Sequence, residues 1–398
     1  MKVYPGYKGS GYDWTGEIPA HWRMVQLKFA APRKTDQTEN VKEFGFQIAL
    51  ENIESKTGKL IGNGSFEGLG NIFRRGDVLF NKLRPYLCKV VVAPQDGVAV
   101  SELLVLRPRE DLDKRYLFYR LLETKFISVV DGSTYGAKMP RANWDFIGNL
   151  KIPVPPLSEQ QAIADFLDYK TAQIDRLVEK KQKQIDLLYE HRTGLINRAV
   201  TKGLNPEAPM KDSGVEWLGE IPSHWEVVSL GKVIKLQRGV DITKNEQEDG
   251  SVPVVSSGGI ASYHNKAIVK GPGVVVGRKG SVGKLHYIEQ DYWPHDTTLY
   301  VEDFKGNSPR FVYYKLLTMN LARFDTGSSN PTLNRNIVHP EKVSWTSYKE
   351  QIKIVDWLDN KIAKIDLWIE HIHRVIGQLI EYRTALLSEA VTGKIDVR

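Results

Sequence analysis

One cysteine, Cys88, stands in a chain of 398 residues. That excludes an internal disulfide and any thiolate metal cluster, and leaves Cys88 as an expected small, buried apolar residue. No run of about 18 apolar residues occurs, so no membrane-spanning helix is expected. The stretch from Met1 to Trp14 is polar and has no apolar core, which argues against a secretory leader. A cytoplasmic protein is the expectation. Catalytic patterns are missing as well. No Gly-x-Gly-x-x-Gly opens a helix, and no Asn-Pro-Pro-aromatic methyltransferase signature is present. The segment 277–285 looks like a phosphate-binding loop, but Arg278 stands where glycine is needed and Leu285 where serine or threonine is needed. The nine histidines show no metal-ligand spacing. His371 and His373 lie two apart on a predicted helix and so point in different directions. This chain is expected to carry out no chemistry and to hold no metal or cofactor.

What is present is a duplication. Gly16-Glu17-Ile18-Pro19-Ala20-His21-Trp22 returns 203 positions later as Gly219-Glu220-Ile221-Pro222-Ser223-His224-Trp225. Glu159-Gln160, Asp168, Ile174-Asp175 and Arg192-Thr193 return 191 positions later as Glu350-Gln351, Asp359, Ile365-Asp366 and Arg383-Thr384. The offset drifts because the second copy is shortened in its loops. The prolines, histidines and tryptophans of the first motif read as structural, with Trp22 and Trp225 as buried anchors.

The period of the pattern changes along each copy. Apolar, β-branched stretches at 46–53, 77–83, 89–93 and 98–106 predict strands, and 115–122 predicts a helix. Prolines at 153, 155 and 156 end the first globular region, and Ser158 with Gln161 suggests a capping box. Beyond it Ile163, Leu167, Ile174, Leu177, Ile185, Leu188, Leu195 and Ala199 step by threes and fours. The second copy shows Ile354, Leu358, Ile365, Trp368, Ile372, Ile376, Leu379, Leu386 and Ala390 on the equivalent seam. Two uninterrupted helices of about 40 residues favour a coiled coil. Because the second must return along the first, they are expected to pair antiparallel. The predicted fold is α+β, with globular regions 1–156 and 205–347, helices 157–204 and 348–398, and approximate two-fold symmetry.

The net charge is +7, and residues 1–156 carry +6 of it while 205–347 are neutral. Such an excess fits nucleic acid without requiring it. Two loop classes recur in both copies. The first offers Lys82, Arg84 and Lys89, matched by Arg278, Lys279 and Lys284; these bases suit phosphates. The second offers Lys138, Arg141 and Asn143, matched by Asn330, Asn334 and Arg335. Arg, Lys and Asn have the donor geometry to read guanine and adenine edges in the major groove.

The tag Gly-Glu-Ile-Pro-x-His-Trp opening each half resembles the specificity (HsdS-type) subunit of Type I restriction-modification systems. So does Pro156-Leu157-Ser158-Glu159-Gln160-Gln161 leading a helix that ends Arg192-Thr193-Gly194-Leu195-Ile196-Asn197-Arg198. The chain departs from that pattern at Trp345-Thr346-Ser347-Tyr348-Lys349, where a proline-rich lead is usual. The resemblance implies two target-recognition domains, each reading one half of a split, asymmetric duplex DNA target, with the helices as a ruler for the spacer. It also implies partners: two methyltransferase subunits carrying S-adenosylmethionine for adenine methylation, and up to two restriction subunits using ATP with Mg2+. The competing readings are a coiled-coil scaffold without sequence-specific DNA binding and a fused enzyme, which the missing motifs disfavour.

Overall fold

The computed structural model describes residues 2–325 and 331–398. It divides into two compact units, residues 1–181 with 373–398, and residues 182–372. The long helices, Leu157–Lys202 and Tyr348–Val391, are therefore shared out. Each unit holds one part of both, where the sequence separated the helices from the globular regions.

Unit 1 is built on two four-stranded sheets. In the first, the strand order is Arg33–Lys34, Leu103–Leu106, Val78–Asn81, Val90–Val92, all antiparallel. The second runs Gln37–Thr38, Gly70–Phe73, Gly97–Val100, Gln47–Ile48, with its last pair parallel. The stretch 98–106, expected as one strand, is two strands in different sheets, parted at Ser101-Glu102. Both strands are apolar and buried without alternation, so the period could not reveal the break, which only Ser101-Glu102 marks. The expected strand 46–53 is likewise only Gln47–Ile48, followed by a 3-10 turn at Leu50–Asn52. Asp113 accepts hydrogen bonds from the Arg115 and Tyr116 amides and so starts the helix Lys114–Leu122.

Unit 2 repeats the plan. Its main sheet orders Lys235–Arg238, Thr298–Asp303, Gly273–Gly277, Leu285–Ile288, and the second sheet orders Gly259–His264, Val252–Ser256, Trp293–Pro294. Ser308 caps the helix Pro309–Leu317.

The repeated tags meet one another inside each unit. In unit 1, His21 Nε2 lies 2.8 Å from Glu159 Oε2, and the buried Trp22 indole donates to Glu159 Oε1 at 2.9 Å. In unit 2, His224 and Trp225 engage Glu350 Oε2 at 3.0 and 3.1 Å. Burial opposes ionisation of Glu350, but hydrogen bonds from Thr346, His224 and Trp225 outweigh it and hold the carboxyl below its usual range. Gln160 accepts from the Asp113 amide at 2.7 Å, as Gln351 accepts from the Ser308 amide at 3.0 Å. Two turns further along, Tyr119 and Arg115 bond Asp168 at 2.6 and 2.8 Å. Tyr314 and Arg310 bond Asp359 in the same way. The duplication thus encodes how a globular region seats on a helix start.

Within unit 1, Ile163, Leu167 and Ile174 share a core with Leu386, Leu387, Ala390 and Val391, and Arg383 Nε donates to Asp175 at 2.8 Å. Within unit 2, Ile196, Ala199 and Val200 share a core with Ile354, Leu358 and Ile362, and Arg192 lies 3.6 Å from Asp366. In each unit, therefore, the beginning of one helix lies against the end of the other, the antiparallel sense. The seam differs from expectation at two positions. Leu177 is 41% and Trp368 64% exposed, and their neighbours Val178 and Ile369 turn inward instead. The first long helix also starts at Leu157, with Pro156 C=O accepting from the Glu159 and Gln160 amides. Ser158 lies inside the helix and does not cap it. Ser347 C=O plays the same part for the second. Gly203 and Gly393, both with positive φ, follow the helix ends. A Cβ on Gly393 would stand 2.3 Å from Pro19 Cδ, so glycine is needed there for contact as well as for φ.

Candidate nucleic-acid interface

The two loop classes, far apart in sequence, lie side by side in each unit. In unit 1 the turn after Val78–Asn81 meets the segment before the helix Trp144–Asn149. Leu83 and Arg141 form a β-bridge, the Ala142 amide donates to Lys82 C=O at 2.9 Å, and the Arg84 amide donates to Pro140 C=O at 2.7 Å. Unit 2 has the same joint. Lys279 and Thr332 form the bridge, and the Leu333 amide donates to Arg278 C=O at 2.9 Å. Two copies of one main-chain joint, each edged with basic side chains, form the best candidate interface in each unit.

In unit 1 the side chains converge on Glu102, in the turn that the sequence hid inside one apparent strand. Arg141 donates through Nε and Nη2 to Glu102 Oε1 at 3.0 and 2.9 Å. Lys82 Nζ lies 3.9 Å from Glu102 Oε2. Hydrogen bonding to this carboxylate raises Arg141 further above the usual arginine range. Arg84 takes a left-handed backbone and donates to Lys138 C=O at 3.3 Å. Lys138, Tyr135 and Met139 stand exposed beside it.

In unit 2 a cleft of about 370 Å³ is walled by Arg238, Arg278, Arg335, Gln237, Thr332 and Asn334. Arg238 pairs with Asp296 at 2.9 Å, and Arg278 donates to Asp296 C=O at 3.2 Å. Desolvation and the neighbouring Arg238 lower the Arg278 guanidinium below the usual arginine range, though it keeps its proton. Three guanidinium groups against one carboxylate make this cleft suited to an anion. Arg238 and Asp296 were not anticipated. Asp296 is another turn residue, and Arg238 ends a strand whose exposed side carried no signal of its own.

The remaining expected residues are placed as follows. Lys279 is exposed beside the bridge. Lys89 Nζ donates to Leu50 C=O at 2.6 Å and Lys284 Nζ to Gly258 C=O at 2.9 Å, so both ammonium groups tie loops together. Asn143 and Asn334 use their side-chain oxygens to cap short helices, accepting from the Asp145 and Asn336 amides. Asn330 lies outside the described residues. Cys88 is half-buried, with its thiol pushed up by burial.

Asp241, His295 and Asp296 bring ligand-type atoms within 4.8 Å of one another, but the Asp296 carboxylate already holds Arg238. Among the described residues no helix is long and apolar enough to cross a membrane.

Comparison with known proteins places this arrangement. The profile of the family described as Type I restriction modification DNA specificity domain matches residues 52–187 and 222–375. The Type I restriction enzyme MjaVIII specificity subunit of Methanocaldococcus jannaschii is 24% identical over 333 residues, 76% of this chain and 75% of that protein. A structure described under complex assembly and conformational transition of the type I R-M system superposes with a TM-score of 0.73. It is 17% identical and covers 95% of this chain and 99% of that one. The HsdS subunit from Thermoanaerobacter tengcongensis superposes with a TM-score of 0.52 at 18% identity, covering 95% and 98%.

Proposed function

The chain belongs to the family of Type I restriction modification DNA specificity domains, and from that membership we propose that each unit reads one half of a split, asymmetric duplex DNA target. As a specificity subunit it supplies recognition, and the chemistry belongs to its partners. The observation that carries the reading is the repeated joint. The same main-chain bridge presents basic loops at Leu83–Arg141 and at Lys279–Thr332, with different side chains on each. Equal scaffolds with unequal side chains suit two half-sites of different sequence.

The long helices set the spacer between the half-sites and dock two methyltransferase subunits, which bring S-adenosylmethionine and methylate adenine. Up to two restriction subunits, using ATP with Mg2+, add cleavage. Support for docking comes from Leu177 and Trp368. They occupy equivalent helix positions 191 residues apart and expose their apolar surface, which favours a protein partner at each.

Mapping methyladenine in DNA from cells with and without this chain and its methyltransferase tests the reading. A bipartite motif with a fixed spacer is expected, and deleting about one heptad from both helices should shorten that spacer while keeping both half-sites. An unchanged spacer would refute the ruler. Undetectable or salt-insensitive DNA affinity would favour the scaffold instead.

A further inference from the structure

We propose that Arg141 reads a guanine in the half-site of unit 1, and that Glu102 is the positioning residue that holds it for the task. The inference rests on the DNA-reading function above and specifies one of its contacts.

The geometry is that of a guanidinium locked from one side. Arginine carries five N–H donors in a rigid fork. Two of them, on Nε and Nη2, point at one oxygen of Glu102 at 3.0 and 2.9 Å. That leaves the end of the fork, the two protons of Nη1 and the second of Nη2, on a side chain 36% exposed, and this is the edge whose spacing matches guanine O6 and N7. The backbone is equally constrained. The Arg141 amide donates to Tyr135 C=O at 3.0 Å, and the Tyr135 amide donates to Arg141 C=O at 3.1 Å. Glu102 is held in turn, its C=O accepting from the Lys82 amide at 3.1 Å. A side chain fixed this way loses little freedom on binding.

Charge separates a base contact from a phosphate contact. Lys82, Arg141 and Glu102 together carry one net positive charge, and the carboxylate lies against the guanidinium. The carboxylate weakens the pull of this cluster on a phosphate, whereas the hydrogen bonds of the guanidinium to a neutral guanine edge do not depend on net charge. The cleft of unit 2 shows the opposite balance, three arginines to one carboxylate. At the positions matching Glu102 and Arg141 it has Thr297 and Thr332. The Arg278 amide donates to Thr297 C=O as the Lys82 amide donates to Glu102 C=O. The guanine contact therefore belongs to one half-site only.

The test uses the full chain assembled with its methyltransferase subunits. Methyladenine mapping with Arg141→Ala is expected to relax one guanine of one half-site and to leave the other half-site and the spacer intact. A duplex of the mapped target with 7-deazaguanine there, which lacks N7, should bind the wild-type complex about ten- to a hundredfold more weakly. It should bind Arg141→Ala no worse than the natural duplex does. Glu102→Ala should lose most of this N7 sensitivity, and Glu102→Gln, which keeps an acceptor, should retain it. The proposal is overturned if Arg141→Ala weakens all sequences alike and lowers the salt slope by about one, the mark of a phosphate contact. Wild-type insensitivity to 7-deazaguanine at every guanine of the bipartite site would also overturn it. A wild-type complex with no bipartite motif would instead refute the underlying function.

Discussion

Lys315 is fully buried, and burial pushes its ammonium down to about 7. Its Nζ donates to Val200 C=O at 2.8 Å and to Ser344 Oγ at 2.7 Å. The matching residue of unit 1, Arg120, is also buried but pairs with Glu123 at 3.0 Å. Unit 2 thus holds an amine that its surroundings prefer neutral. The unfolded chain keeps a lysine proton up to about pH 10.4. Between about pH 7 and 10 the unfolded state therefore binds one proton more than the folded state, and stability rises with pH across that window. The slope is about 1.4 kcal/mol per pH unit in the middle of the window and falls off toward either end. Lys315→Met keeps the stem and removes the titration. The stability difference, wild type minus Lys315→Met, should grow by about 2.5 kcal/mol from about pH 7.5 to 9.5. Urea unfolding at several pH values, followed by tryptophan fluorescence, reads it. A difference that stays constant with pH would show that the folded amine remains charged and that the argument from burial is wrong.

Other outcomes follow from the same geometry. Glu159 is 3% exposed and Glu350 28% exposed, though both hold a His-Trp pair. Glu159→Ala strands a buried indole N–H and should cost about 2–4 kcal/mol, against about 1 kcal/mol for Glu350→Ala; equal losses in denaturant titrations would contradict this. Lys279→Ala should weaken binding to every DNA sequence alike and lower the salt slope by about one. A changed base preference in competition binding would assign Lys279 to readout instead. The Glu350 carboxyl lies below its usual range, so its contribution is present above about pH 4.3 and fades as pH falls through the folded value. Acid titration of Glu350→Gln should be flatter than that of wild type over that interval.

By itself the sequence determined the repeat, the two long helices, the antiparallel sense and the loops that carry the basic residues. These rest on period and on duplicated tags, and both survive in one dimension: Ile163, Leu167 and Ile174 step with the helix wherever the partner lies. Tertiary structure alone decided which residues act together. Glu102 and Asp296 sit in short turns between strands, Glu102 as the single charge between two apolar runs, and nothing in the sequence pattern shows what either carboxylate meets. Arg141 meets Lys82 and Glu102 only because a β-bridge closes loops nearly 60 residues apart. Leu177 and Trp368 fit the apolar period yet face outward, because Val178 and Ile369 fill the inward positions. A helix stripe about 100° wide admits either neighbour, and only the shape of the packed partner chooses between them.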